Sequence, residues 1–147
     1  MKVRRRARIT ALQALFEVDV ARHDPGVSLR ERLEENPLPP EGVAFCKALL
    51  YGVLGRLPRL DAIIQRIAPE WPIDQMAPID RNILRLAAYE ILLSRDTPPK
   101  VAINEAVELA KLFGSDSSSR FVNGVLGTLL ADRANLVATF EDAARPV

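Results

Sequence analysis

The sequence has almost none of the side chains from which catalytic and metal sites are usually built. It contains one histidine and one cysteine in 147 residues. Neither a catalytic triad nor a His/Cys metal cluster can be assembled from His23 and Cys46 alone. Cys46 has no second cysteine to pair with, which fits a reducing cytoplasm. The sequence therefore predicts a protein that is not an enzyme and that holds no metal and no cofactor.

Long apolar runs are missing as well. No stretch approaches the roughly 18 consecutive apolar residues of a membrane span. Thr10, Gln13 and Glu17 interrupt the apolar core that a secretory signal would need after the positive start. Hydrophobic residues make up 48% and charged residues 27%, as in folded globular proteins. We expect a cytoplasmic protein without membrane association, folded as one domain over residues 1–147.

Aromatic residues are only 5% of the chain, and no sustained period-two alternation indicates a strand. Apolar residues recur instead at three- and four-residue spacing, which predicts an all-α protein of about seven helices. A Pro-rich link near residues 69–78 is expected to divide two small helical subdomains. The helix over 78–94 is apolar on most sides and should be central, with a polar strip through Arg81, Asn82, Arg85 and Tyr89. The first helix is predicted over about 4–22, and Ser28 is expected to cap the short second one.

Charge is concentrated at the amino end, although the formal net charge is only +1. Residues 1–8 carry no acid and five positive side chains, Lys2, Arg4, Arg5, Arg6 and Arg8. Positive groups at a helix N-terminus face the positive end of the helix dipole, which costs a few tenths of a kcal/mol each. That cost is offset if an anion binds there, and single-stranded RNA offers phosphates for the charge and bases for stacking. A basic arm held out from the helical body and docking RNA is one interpretation, and a solvated basic tail is the other.

Two phenylalanines are weaker candidates for base stacking. Phe16 lies in the apolar stripe of the first helix, which favours a core position. Phe121 lies at the edge of its helix's stripe, near a serine-rich loop, where partial exposure is expected.

Four glycines, Gly52, Gly55, Gly124 and Gly127, fall inside helical patterns, where each costs about 1 kcal/mol relative to alanine. We expect close approach between helices at these positions. Asn104 and Glu105 interrupt an apolar helix start and are predicted to belong to a polar network, and Asn123 has the same interpretation.

Three stretches together resemble the NusB family of transcription antitermination factors. They are RRRAR at Arg4 to Arg8, ILRLAAYEI at Ile83 to Ile91, and VAINEAVELAK followed by FVNGVLG between Val101 and Gly127. The resemblance covers essentially the whole chain and implies an all-α fold of two helical subdomains.

The resemblance also implies a function. Family members bind the boxA element of ribosomal RNA leader transcripts, together with the ribosomal protein NusE, and join the elongating RNA polymerase. It assigns RNA binding to Lys2, Arg4, Arg5, Arg6, Arg8, Phe16 and Phe121. It assigns Asp80 to the surface that binds NusE. Some relatives carry an acid at the position of Ser117, so a partner contact there is not carried over to this chain. Family members occur as monomers or dimers, which leaves a homodimer open.

Two other classes of protein are alternatives for this sequence. A helical domain similar to NusB precedes the catalytic domain of certain ribosomal RNA cytosine methyltransferases, and this chain would then be an excised RNA-binding module. Its own start methionine and its end at Val147, without a dinucleotide-type domain, argue against that interpretation. A helix-turn-helix DNA regulator would need a basic recognition helix, and no helix past the first has that pattern.

Overall fold

A computed structural model describes residues 2–94 and 96–144, and for 141–144 it describes the backbone alone. Within these residues the chain forms eight α-helices and no strand, which confirms the all-α prediction and exceeds the expected helix count by one. The helices are α1 (Val3–Phe16), α2 (Pro25–Glu35), α3 (Pro40–Leu54), α4 (Leu57–Ile67), α5 (Pro78–Leu92), α6 (Pro99–Phe113), α7 (Ser118–Ala131) and α8 (Arg133–Ala144). In the described residues no helix is both long and apolar enough to cross a membrane.

The first two helices differ from the predicted bounds. A π-helical segment, Glu17–Ala21, continues α1, and Arg22 ends it with a left-handed backbone at φ 57°. Asp24, and not Ser28, caps α2, because its carboxylate accepts a hydrogen bond from the Val27 N–H at 3.1 Å. Pro25 then occupies the first helical position, where its missing N–H costs nothing. Ser28 is buried inside α2.

Helix α5 is the centre of the fold, as its apolar pattern predicts. Ile83, Leu84 and Ile91 are fully buried, and α5 contacts α1, α3, α4, α6, α7 and α8. Helices α1 and α3 pack against α5 and each other, with α2 on α1, and α6 and α7 pack against α5 and each other, with α4 on α5 and α7. The Pro-rich link carries a short 3₁₀ helix, Ile73–Gln75, before α5 begins. The two groups of helices match the expected pair of small helical subdomains, but the Pro-rich link does not divide them, because α4 lies before the link and packs against α7.

The polar strip of α5 forms ion pairs with both groups of helices. Arg81 and Asn82 donate hydrogen bonds of 2.8 and 2.9 Å to the Asp19 carboxylate, which follows α1. Arg85 binds both carboxylate oxygens of Asp61 on α4 at 2.7 and 2.8 Å. The strip therefore fixes the end of α1 and the middle of α4 against the central helix.

The four helical glycines do not share one environment. A Cβ at Gly52 would overlap the ring of Tyr89, so α3 and α5 approach closely there, as expected. At Gly124 and Gly127 a Cβ would meet nothing within 4 Å, and at Gly55 it would meet only the Tyr51 carbonyl of its own helix. The prediction of close approach between helices is wrong for these three.

Candidate functional site

The basic residues at the amino end belong to the first turns of a packed helix. Helix α1 begins at Val3 and packs against α2, α3 and α5, and Ala7 is fully buried. The expectation of an arm held out from the body is therefore wrong, because the apolar residues between the arginines already pack against α1's neighbours.

A cavity of about 460 Å³, hereafter the basic cavity, lies between the N-termini of α1 and α6. It is lined by Lys2, Arg4, Arg5, Arg8, Thr97, Pro98, Val101 and Glu105. The structure thus brings together four of the five basic residues singled out from the sequence.

Two helix N-termini meet at this cavity, and neither carries a side-chain cap. The N-cap residues are Lys2 for α1 and Pro98 for α6, and neither first turn contains an acid. The free backbone N–H groups of the first turn of α1 and the positive ends of both helix dipoles favour an anion here. Helix α6 adds only the Lys100 N–H, because Pro98 and Pro99 have none and the Val101 N–H already donates to the Pro98 carbonyl. The backbone therefore adds to the attraction exerted by the basic side chains.

Arg8 is not an exposed member of the cluster. Its guanidinium donates hydrogen bonds of 3.0 and 2.8 Å to the two carboxylate oxygens of Glu90, and the side chains of this pair are only 5% and 3% exposed. The Thr97 hydroxyl donates to the same carboxylate at 3.0 Å. Arg8 forms part of the cavity wall with its charge balanced by Glu90, and it connects α1 to α5 and to the loop before α6.

Arg5 forms a second two-bond pair nearer the solvent. Its Nε and Nη2 donate hydrogen bonds of 2.9 and 3.1 Å to the two carboxylate oxygens of Glu105 on α6. The hydrogen bond and the charge of Glu105 raise the pKa of Arg5 above its ordinary value. Glu105 thus belongs to a polar network, as predicted, but its partner lies on α1, and the neighbouring Asn104 is exposed.

Arg4 lies on the aromatic ring of Phe45 in α3. Its guanidinium carbon is 4.5 Å from the centre of the Phe45 ring, and that of Arg8 is 5.0 Å from the same centre. Arg4 also donates a hydrogen bond of 3.2 Å to the Asp96 carbonyl. Phe45 was missed as a site residue because its spacing within α3 is that of an ordinary core residue.

Arg6 does not point into the basic cavity. Its Nη2 donates a hydrogen bond of 2.6 Å to the Pro37 carbonyl in the link between α2 and α3, and it does not line the basic cavity. Adjacent arginines on a helix point about 100° apart, so one charge run supplies two surfaces.

A shallower depression of about 330 Å³ contains Phe16 at the other end of α1. Phe113, the exposed last residue of α6, lines it as well, together with Ile79 at the start of α5. Phe16 is half-buried there. Residues of α1 and α6 line both this depression and the basic cavity.

A third cavity, of about 510 Å³ and hereafter the aromatic cavity, contains the other two predicted residues, Asp80 and Phe121. The Phe121 and Trp71 rings meet edge to face with their centres 5.8 Å apart, and Trp71 is 56% exposed. Asp80 is buried, and its Oδ1 has no hydrogen-bond partner among the described residues. Ser117 also lines this cavity. Trp71 was missed because the prolines around it indicated only an irregular link.

The described part of the chain holds no group of three or more His, Cys, Asp or Glu side chains that could hold a metal ion. Cys46 is fully buried, and burial raises the pKa of its thiol to about 12. A thiol of this kind is a core residue and not a nucleophile.

Comparison with known proteins gives one consistent result. Residues 5–131 match the model of the NusB family. A relative from Roseiflexus sp. (strain RS-1), the transcription antitermination protein NusB, is 52% identical over 131 residues, covering 88% of this chain and 92% of the relative.

Two solved structures have the same fold. NusB of T. maritima superposes with a TM-score of 0.83 at 35% identity, covering 89% of this chain and 92% of that one. The second is the NusB chain in a complex of the antitermination factors NusB and NusE with double-stranded RNA. Its TM-score is 0.82 at 28% identity, covering 89% of this chain and 98% of that one.

Proposed function

The chain belongs to the NusB family of transcription antitermination proteins, which are not enzymes, and from that premise we propose its ligands. We propose that it binds the boxA element of ribosomal RNA leader transcripts together with the ribosomal protein NusE and joins the elongating RNA polymerase in the cytoplasm. Residues 1–147 act as one RNA-binding domain in this proposal. The observation that carries it is the basic cavity, where two uncapped helix N-termini and three solvent-facing cations, Lys2, Arg4 and Arg5, converge.

In the proposed complex, phosphates bind in the basic cavity. Lys2, Arg4 and Arg5 contact them directly, with the backbone N–H groups of α1 and α6 adding to the binding. Arg6 contacts the strand from the neighbouring face of α1. Arg8 contributes as part of the cavity wall, because its hydrogen bonds to Glu90 hold the first turns of α1 in place.

The strand then continues along α1 and α6. Helix α6 has 15 residues and is therefore about 22 Å long, a distance that several nucleotides span. Phe16 and Phe121 lie toward its far end, where they offer rings for base stacking. The positive charge of the basic cavity suits the phosphates of a single-stranded ribonucleotide chain, and the rings of Phe16 and Phe121 suit its bases.

NusE is proposed to bind at Asp80. Asp80 lines the aromatic cavity, so a basic group of a partner protein that enters this cavity can approach its carboxylate. Support for a partner of this kind comes from the structural relative that was solved with NusE and RNA.

The alternative of an excised methyltransferase module is less well supported. This chain covers 92% of the Roseiflexus relative, so that relative has no additional catalytic domain.

RNA binding is tested by fluorescence anisotropy of a labelled single-stranded boxA RNA. We expect Arg4→Ala to weaken binding about tenfold and to lower the melting temperature only slightly, because Arg4 is exposed and its contacts with Phe45 and the Asp96 carbonyl lie at the surface. Arg66→Ala on α4, an exposed arginine outside the cavity, is the matched control and should leave binding unchanged. With about three phosphates contacted, log affinity should fall against log salt with a slope near −2.

Two competitors complete this experiment, a double-stranded RNA of the same sequence and a duplex DNA. We expect the single strand to bind most tightly. A salt slope near zero, or equal effects of the Arg4 and Arg66 substitutions, would remove the basic cavity from the mechanism.

A further inference from the structure

Glu105 is an acid inside a cavity whose other charged side chains are basic. We infer that it is a positioning residue, which holds the Arg5 guanidinium by one edge and turns the opposite edge toward an RNA phosphate. This inference rests on the proposed binding of RNA in the basic cavity.

The atoms of the pair define which edge is used. Arg5 gives Nε–H and one Nη2–H to Glu105, at 2.9 and 3.1 Å. A guanidinium has five N–H donors in a planar fork, so both donors of Nη1 and the second donor of Nη2 remain. One donor of Nη1 and the free donor of Nη2 point side by side from the end of the fork that Glu105 leaves free, and a phosphate can accept both.

Glu105 is well placed to fix that orientation. It lies in the second turn of α6 with Ala102 and Ala106 buried on either side of it, so its backbone is held rigidly. The Glu105 side chain is 19% exposed and that of Arg5 is 38% exposed. The pair is therefore partly open to solvent, with Arg5 the more accessible of the two.

Stability alone does not account for the pair. It is partly buried and has the favourable two-bond geometry, so it contributes to folding, but water reaches Arg5 and reduces that contribution. The buried pair of Arg8 and Glu90 already joins α1 to the core with the same two-bond geometry. As a charge, a carboxylate at an anion site opposes binding. An effect of Glu105 on the geometry of Arg5 explains why an acid lies there.

The two possible roles of Glu105, a negative charge and a positioning residue, predict opposite effects of Glu105→Gln on RNA binding. If Glu105 acts only as a negative charge, removing it strengthens RNA binding. If it positions Arg5, the amide, which has one acceptor and one donor, no longer holds both N–H groups, and RNA binding weakens. Glu105→Asp keeps the charge and shortens the side chain, so only the positioning role predicts weaker binding for both variants.

The experiment measures binding of labelled single-stranded boxA RNA to the full chain at several salt concentrations, with the melting temperature of each variant. The variants are Arg5→Ala, Glu105→Gln, Glu105→Asp and the double variant Arg5→Ala with Glu105→Gln. Glu108→Gln is the matched control, because Glu108 lies one turn further along α6, pairs with Lys111 at 3.4 Å and does not line the cavity.

We expect Glu105→Gln and Glu105→Asp to weaken binding about three- to tenfold, with a melting temperature no lower than that of Arg5→Ala. The salt slope should become shallower by about 0.7, the value for one phosphate on a single strand, as it should for Arg5→Ala. The double variant should bind like Arg5→Ala alone, because Glu105 acts through Arg5. Glu108→Gln should bind like the parent chain.

Tighter or unchanged binding by Glu105→Gln, with Arg5→Ala still weakened, would overturn the positioning role and leave the RNA proposal standing. If Arg4→Ala and Arg5→Ala both bind like the parent chain, the proposed RNA function of this cavity fails, and the inference fails with it.

Discussion

Arg8 on α1 and Glu90 on α5 form a buried pair between residues 82 positions apart, with two hydrogen bonds of 3.0 and 2.8 Å. The Thr97 hydroxyl donates to the same carboxylate. The pair connects the basic first turns of α1, the central helix and the loop that leads into α6. The shape of the basic cavity therefore depends on a contact that is closed to solvent.

Replacing either Arg8 or Glu90 should lower the stability of the protein. Arg8→Ala leaves the Glu90 charge buried without its partner, and Glu90→Ala does the same to Arg8, so each should lower the free energy of unfolding by about 3–5 kcal/mol. Urea denaturation measures this. The double variant Arg8→Met with Glu90→Leu should lose less than either single variant, because no charge remains buried. A loss below about 1 kcal/mol in both single variants would contradict the structural role of the pair.

The burial of Arg8 could not have been predicted from the sequence. Lys2, Arg4, Arg5, Arg6 and Arg8 form one charge run, and the local sequence does not separate an arginine that faces solvent from one that faces the core. The separation depends on Glu90 and Glu105, which lie 82 and 100 positions away. Residue type and spacing predicted the helices and the central place of α5, because those depend on local periodicity. The partners of the charged groups depend on long-range packing.

The environments of the four glycines also depend on long-range packing, which the local sequence does not reveal. Substituting them tests the packing through its effect on stability. Gly124→Ala and Gly127→Ala should each raise the free energy of unfolding by about 0.5–1 kcal/mol, because the new methyl group meets nothing and helix propensity improves. Gly52→Ala is the opposing case and should destabilise the protein, since its methyl group would overlap the Tyr89 ring. Urea midpoints of the three variants are compared with the parent chain. Equal effects at Gly52 and Gly124 would mean that their surroundings do not differ as described.

Asp19 should make stability dependent on acid pH. Burial acts to raise the pKa of Asp19, but hydrogen bonds from Asn82 and Arg81 and the charge of Arg85 outweigh it and lower that pKa below 3.8. Because the folded pKa is the lower one, the stabilisation is complete above the unfolded pKa and is lost as the pH falls through the folded value.

Asp19→Asn should therefore be less stable than the parent chain at neutral pH, and the difference should shrink as the pH is lowered below 3.8. Asp74→Asn, at an exposed position in the 3₁₀ segment, is the control. The measurement is the urea midpoint from neutral to acid pH. A difference between Asp19→Asn and the parent chain that stays constant with pH would contradict the ionised pair.

The aromatic cavity was only partly predictable. Phe121 and Asp80 were assigned from the family resemblance to different ligands, RNA and NusE, yet they line one cavity because the loop from α6 to α7 packs beside the start of α5. Trp71 completes the cavity from a segment whose prolines indicate only the absence of a helix. An exposed tryptophan is recognisable as a candidate site residue only when its neighbours in space are known.

Asp80 gives the sharpest test of the NusE proposal, because its side chain lines the aromatic cavity while one of its carboxylate oxygens, Oδ1, is buried without a donor among the described residues. Asp80→Asn keeps the shape and removes the charge, so it should leave the free energy of unfolding unchanged or raise it slightly. If a basic group of NusE contacts the Asp80 carboxylate, the same substitution should weaken NusE binding about tenfold or more in calorimetry, and Asp80→Lys should weaken it further. Asp116→Asn removes an equal charge from an exposed position in the loop before α7 and should bind NusE like the parent chain. If Asp80→Lys also binds NusE with unchanged affinity, the partner does not contact this carboxylate, and the aromatic cavity is left to RNA alone.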